Sequence, residues 1–265
     1  MPTLSLPDVD IWFERHGAGR QVMLCNGSGA SIEGTRPLID RLAQHCEVLV
    51  HDQRCLGRSG IPDHQPTMAE YGADVAALLD HVGWQRPAVV GISFGGMVAQ
   101  EFAVTHPDRL DRLALLCTSP GGAGGASYPL HEVAALEPAE QARLQVRLLD
   151  GRFDEAWLAD HPADRALVET MAAARSSGAP SPERLRGHAM QLEARRHHDV
   201  WDRLERITCP TLVMCGEFDE LAPAANSEAI VSRIAGAHLR SYQGGHLFVY
   251  QDRAAFGDLV EFLRA

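Results

Sequence analysis

Gly91-Ile92-Ser93-Phe94-Gly95 sets a serine between two glycines in a G-x-S-x-G spacing, the arrangement that lifts a hydroxyl onto a tight turn from which it can attack a carbonyl. The flanks give the pattern meaning. Ala88-Val89-Val90 reads as a buried strand, and residues 96–103 carry apolar side chains at helical spacing, so a strand is predicted to turn sharply into a helix at Ser93. Side chains at 91 and 95 would strike the strand or the helix on such a turn, and glycine avoids both collisions. The first N–H groups of the helix then point beside the hydroxyl, with Phe94 N–H the first donor available to an oxyanion. A packing turn whose serine only caps the helix leaves the same local pattern.

A serine hydroxyl is a poor nucleophile at neutral pH. It needs a base, normally histidine, and a carboxylate that orients the histidine and stabilises its cation. Asp219 follows the apolar run 211–215, in Gly216-Glu217-Phe218-Asp219-Glu220-Leu221, and His246 follows the run 238–242, in Gly244-Gly245-His246. In an open parallel sheet the loops beyond the strand C-termini share one edge, so a Ser, Asp, His order along the chain can converge there. Glu217 and Glu220 flank Asp219 as alternative carboxylates.

The elements that must position these groups are legible as an alternation. Strands are predicted at 9–14, 21–25, 48–51, up to Gly91, and at 113–117. Helices are predicted at 35–43, at 71–82, and from Ser93 to the neighbourhood of His106-Pro107. Such alternation argues for an α/β fold with a mostly parallel central sheet flanked by helices. The rhythm breaks at Gly121-Gly122-Ala123-Gly124-Gly125, read as flexible punctuation, and no convincing strand follows until about Thr211. Between them, segments such as 140–150 and 164–174 have helical composition. Residues 120–205 therefore read as a helical cap inserted before the last strands, with 1–119 and 206–265 forming the core domain. A closing helix runs through Phe256, Leu259, Val260, Phe262 and Leu263.

The chain has 265 residues and a formal net charge of −11, which argues against a nucleic-acid partner held by electrostatics. Six scattered cysteines without C-x-x-C spacing read as reduced core residues. No basic-then-apolar leader and no apolar stretch of membrane-spanning length is present, so the expectation is a cytoplasmic protein without a membrane partner. Nothing in the sequence indicates a homo-oligomer.

Together these motifs resemble the α/β-hydrolase superfamily, in its small esterase, 3-oxoadipate enol-lactonase and cofactor-free haloperoxidase-like branch. The resemblance spans nearly the whole chain: Asn26-Gly27-Ser28-Gly29 after an early strand, Asp52-Gln53-Arg54-Cys55-Leu56-Gly57-Arg58-Ser59 after the next, the serine elbow, and the Asp219 and His246 loops. It implies Ser93 as nucleophile, His246 as general base and acid, Asp219 as the orienting carboxylate, and the N–H groups of Ser28 and Phe94 as the oxyanion hole. Two positions depart from many relatives, which have histidine at Asn26 and glycine at Cys55. The expected activity is hydrolysis of a small-molecule carboxylic ester or lactone through an acyl-serine. Enol-lactonase or perhydrolase chemistry on the same triad, and a non-catalytic ligand-binding protein on a hydrolase scaffold, are the alternatives. None of these requires a metal or cofactor.

Four further groups of residues carry weaker signals. Asn26, Met97, Arg195 and Arg196 are candidate substrate contacts, although both arginines read more readily as exposed helix surface. Met97, Met171, Met190 and Trp157 suit a pocket lining or a core. His51-Asp52 reads as support for a loop, and His197-His198-Asp199 as solvated or capping residues, since adjacent side chains do not share a helix face.

Overall fold

The computed structural model describes residues 2–133, 136–175 and 181–265. Eight strands, β1 (Thr3–Ser5), β2 (Asp10–His16), β3 (Gln21–Cys25), β4 (Glu47–His51), β5 (Ala88–Ile92), β6 (Arg112–Leu116), β7 (Thr211–Gly216) and β8 (His238–Tyr242), form one sheet in the order β1-β2-β4-β3-β5-β6-β7-β8. β1 and β2 pair antiparallel at one edge, and the pairs from β4 to β8 are parallel. The α/β expectation is met. β5, which delivers Ser93, lies in the interior of the sheet.

Alternation within the strands sorts the core onto two faces. Met23, Leu49, Val89, Leu113 and Val213 pack against helices α2 (Met68–Val82) and α3 (Phe94–Thr105), while Val22, Val48, Val90, Ala114 and Leu212 pack on the opposite face against α1 (Ile32–Ala43). Both helices that start earlier than the sequence suggests do so at caps. The Ser31 hydroxyl accepts Gly34 N–H at the start of α1, and Thr67 and Glu70 form a reciprocal capping box at the start of α2.

Between β6 and β7 the chain forms α4 (Leu130–Val133), α5 (Pro138–Leu149), α6 (Glu155–Asp160), α7 (Pro162–Arg175) and α8 (Pro182–Arg196). Beyond β7 come α9 (Ala224–Arg233), α10 (Phe248–Gln251) and α11 (Arg253–Arg264), which covers the α1 side of the sheet. The glycine run at 121–125 is a packed turn, not a flexible joint. A Cβ on Gly121 would meet the His198 backbone, and one on Gly124 would meet the Trp201 ring. Gly121 also bridges Asp199, and Val200 N–H donates to Pro120 O (2.9 Å). The outgoing and returning strands of chain are thus pinned side by side.

The loop after β4 is held by a buried ion pair. Arg54 Nε and Nη2 donate to the two Asp74 oxygens at 2.7 Å each, with both side chains nearly inaccessible, and Arg54 Nη1 reaches Asp8 and Glu70. The next residue, Cys55, adopts φ 74°, the left-handed conformation glycine favours. Removing Arg54 leaves the Asp74 carboxylate buried and unpaired. Arg54→Ala is therefore expected to cost about 3–5 kcal/mol, and Arg165→Ala, which removes an exposed pair with Glu169, less than about 0.5 kcal/mol. Urea unfolding midpoints of the two variants test this contrast.

Candidate active site

Ser93 has φ 54° and ψ −117°, a backbone conformation that costs a non-glycine residue about 1–3 kcal/mol and persists only where its surroundings enforce it. The enforcement is visible on every side. Ser93 N–H donates to Leu116 O (2.8 Å), and its carbonyl accepts Gly96 N–H (2.9 Å) and Thr118 Oγ1–H (2.8 Å). A Cβ on Gly91 would lie 2.5 Å from Gly95 O and 2.7 Å from Ala99 Cβ, and one on Gly95 would run into the carbonyls of Cys25 and Asn26. Both glycines are thus required by close approach, of the helix in one case and of the end of β3 in the other.

Asp219 and His246 meet as the sequence suggests. Asp219 Oδ2 lies 2.8 Å from His246 Nδ1, and Oδ1 accepts the N–H groups of Leu221 (2.9 Å) and Ala222 (2.8 Å). The carboxylate is fully buried, so both its oxygens are committed. Neither neighbouring glutamate substitutes for it. Glu217 accepts Gln243 Nε2 (2.6 Å), and Glu220 packs beside Gly151. With Nδ1 hydrogen-bonded to Asp219, Nε2 is left as the basic nitrogen.

Cys117 connects this pair to the serine, a role its sequence position did not announce. Ser93 is hydrogen-bonded to both neighbours of Cys117, and ligand atoms of Cys117, Asp219 and His246 lie within 4.8 Å of one another. Cys117 itself has φ 43°, a second strained residue at the same edge. A thiol, an imidazole and a carboxylate at this spacing are metal-ligand types. The commitment of both Asp219 oxygens to hydrogen bonds favours an acid–base unit over a chelating set.

Ser28 follows Gly27, whose missing Cβ would lie 3.5 Å from Ser93 Cβ, and precedes Gly29, whose N–H donates to Gln191 Oε1 (2.8 Å). Phe94 is the first residue of α3, where helical geometry leaves N–H groups without intrahelical partners. Asn26 is fully buried; its carbonyl accepts Gln53 Nε2 (2.5 Å), and its amide side chain finds no hydrogen-bond partner among the described residues. Met97 N–H donates to Ser93 O (3.3 Å), so Met97 sits one turn into α3.

The helical segment grips these loops. Leu149 O, at the end of α5, accepts His246 N–H (2.5 Å), Gly151 N–H donates to Phe218 O (2.8 Å), Gln191 of α8 holds Gly29, and Gly187 of α8 lies against Cys55 O. Four loops of the sheet edge are each touched by it.

Several weaker expectations are corrected. Arg195 is buried and not exposed helix surface, whereas Arg196 is exposed and pairs with Glu193. His198 is buried too, although His197 is exposed beside Glu193 and Asp199 caps Trp201 N–H. Trp157 lines neither core nor site: it stacks on His161, and its Nε1–H donates to Asp164 (2.8 Å). Met190 is half-buried, its carbonyl accepting Gln65 Nε2; the Met171 side chain lies outside the described residues. His51-Asp52 does support a loop, since Asp52 accepts the N–H groups of Ile32 and Arg58. All six cysteines are buried free thiols. No helix among the described residues is long and apolar enough to cross a membrane.

The sequence profile of the α/β hydrolase fold family matches residues 21–252. The chain belongs to that family. This α/β hydrolase is 28% identical over 245 residues to the poly(3-hydroxyalkanoate) depolymerase of Ectopseudomonas oleovorans, covering 90% of this chain and 82% of the relative. It is 26% identical to 3-oxoadipate enol-lactonase 2 of Acinetobacter baylyi, covering 98% and 94%. The crystal structure of a hydrolase from Pseudomonas aeruginosa PA01 superposes with a TM-score of 0.81 at 29% identity, covering 99% and 98%.

Burial opposes charging of His246, but the Asp219 carboxylate and the Cys117 sulfur outweigh it and hold the imidazole pKa well above 6.5. A raised folded-state value means that the protonated ring favours the folded protein. That stability is fully present below the unfolded pKa and is lost as pH rises through the folded one. Titration of the His246 ring by NMR is expected to give a midpoint above 6.5, falling on Asp219→Asn; a native midpoint at or below 6.5 would contradict the pairing.

Proposed function

We propose that this α/β hydrolase cleaves a carboxylic ester or lactone through an acyl-serine on Ser93. The observation that carries the reading is the 2.8 Å His246–Asp219 pair at the sheet edge where the chain turns at a strained serine. Ser93 Oγ attacks the carbonyl as His246 Nε2 takes its proton, and the oxyanion is stabilised by the N–H groups of Ser28 and Phe94. The tetrahedral intermediate then collapses. His246 gives the proton to the departing alcohol, and water deprotonated by His246 releases the acid and restores Ser93. Asp219 keeps the imidazole oriented and offsets its charge without taking a proton.

Residues 120–205 act in this reading as a cap that roofs the site, on a core of 1–119 and 206–265. Its hydrogen bonds to the Gly29, Phe218 and His246 loops support that division of labour. The names of two curated relatives, a poly(3-hydroxyalkanoate) depolymerase and a 3-oxoadipate enol-lactonase, support the reading; other relatives of similar identity are named putative carbamate hydrolases, whose reaction is a hydrolysis of a different bond.

Turnover of para-nitrophenyl esters and of simple lactones tests the assignment. Ser93→Ala is expected to lower kcat by at least about a thousandfold, and Asp219→Asn by a similar factor, with circular dichroism unchanged. A folded Ser93→Ala protein that keeps native turnover would reject the nucleophile. Native inactivity on the whole panel would favour a binding protein on the same scaffold.

A further inference from the structure

The turn that carries Ser28 N–H is weakly built from within. Gly27 O accepts Ala30 N–H at 3.2 Å, which closes residues 27–30 into a β-turn with Gly29 at φ 68°. Two of its four residues are glycine, the residue with the most backbone freedom, and the Ser28 hydroxyl finds no partner among the described residues. The flanks are tied to the core: Gln53 Nε2 donates to Asn26 O (2.5 Å), and Asp52 Oδ1 accepts Ile32 N–H (2.7 Å). The middle is tied from elsewhere. Among the described residues, the peptide between Ser28 and Gly29 makes one hydrogen bond, from Gly29 N–H to Gln191 Oε1 on α8 (2.8 Å).

Gln191 is fully buried and its Nε2 reaches no partner among the described residues, so holding Gly29 is the hydrogen bond its side chain makes. The same face of α8 fits the helix against the sheet edge. Gly187, one helical turn earlier, sits where a Cβ would come within 2.1 Å of Cys55 O, and the His188 ring lies 3.3 Å from where a Cβ on Gly29 would stand. On its other side the turn meets the nucleophile, since a Cβ on Gly27 would lie 3.5 Å from Ser93 Cβ. Contacts from Gln191 to Ser93 therefore run through this one turn.

A central peptide of a β-turn has two arrangements, related by a flip, and a positive φ at the third residue selects one of them. The Gln191 bond holds the 28–29 peptide in that one. Oxyanion donors contribute because they are aimed before charge develops, so what fixes the turn bears on the rate.

We propose that Gln191 is a positioning residue for the oxyanion hole: by holding the 28–29 peptide it keeps Ser28 N–H aimed at the developing oxyanion, and the hole is complete only while α8 is seated on the sheet edge. The inference rests on the ester or lactone reading of the site.

Gln191→Leu removes this hydrogen bond and an unpartnered donor while keeping most of the side-chain bulk. With para-nitrophenyl butyrate, kcat and kcat/KM are expected to fall together by about 10- to 100-fold, with KM within about twofold of native, the pattern of an interaction made in the transition state. Butane-1-boronic acid, whose boron bonds to Ser93 Oγ and places an oxygen in the hole, should bind more weakly by a similar factor, while the NMR midpoint of His246 and the melting temperature keep their native values. Gly187→Ala reaches the same contact without touching Gln191, by forcing α8 away from Cys55 O. It is expected to lower kcat in the same way, and the double variant should lose little more than the worse single one. An unchanged kcat in Gln191→Leu, a loss confined to KM, or native boronate affinity alongside a lowered kcat would each overturn the proposal and, with native turnover present, leave the hydrolase reading intact. Boronate binding that depends on Gln191 without turnover of any ester would uphold the positioning role and defeat the hydrolase reading; a native protein with neither turnover nor boronate binding would defeat both.

Discussion

The backbone of Ser93, held at φ 54° and ψ −117°, is the constraint on which the rest of the site depends. A serine does not adopt that conformation unaided. It is imposed by the register of β6, whose last residue accepts the Ser93 N–H, and by the approach of α3 and of the end of β3, which Gly91 and Gly95 permit. The same geometry that strains the serine starts α3 immediately after it. Sheet order then does the remaining positioning. β6, β7 and β8 run parallel and adjacent, and their C-terminal loops present Cys117, Asp219 and His246 on the edge where β5 ends.

The helical segment between β6 and β7 is coupled to that edge by specific bonds. Leu149 takes the His246 N–H, Gly151 holds the Phe218 carbonyl, and Gln191 holds Gly29. A segment bonded to three loops can set their spacing as well as cover them. Its helix α8 carries Gln191, which holds Gly29 beside Ser28, and one turn later the buried Arg195.

What was legible in the sequence follows from how local each signal is. The turn at Ser93 is encoded within five residues, the strand before Asp219 is a short apolar run closed by Gly216, and His246 follows Gly244-Gly245 after the more polar β8, so the pairing of these two side chains was legible from local patterns. Helix starts were displaced where caps decide them: Gly34 and Pro37 obscure the beginning of α1, which Ser31 sets. The short strand β1 carries too little alternation to register. Properties that depend on tertiary approach were not legible at all. Arg195 and Arg196 are adjacent in a polar helix, and only packing buries one and exposes the other. His198 is indistinguishable in sequence from the solvated His197, the glycines at 121–125 read as a joint although they are wedged against His198 and Trp201, and Cys117 looked like one more core thiol.

The most direct measurement of the central claim, an activated nucleophile at Ser93, is the intact mass of the folded protein after exposure to a small fluorophosphonate, with Ser93→Ala treated in parallel. The account predicts one phosphonyl adduct on the native chain, mapped to the peptide that contains Ser93, and none on the variant. A native chain left unlabelled by probes of two different sizes, or an adduct that persists in Ser93→Ala, would contradict it.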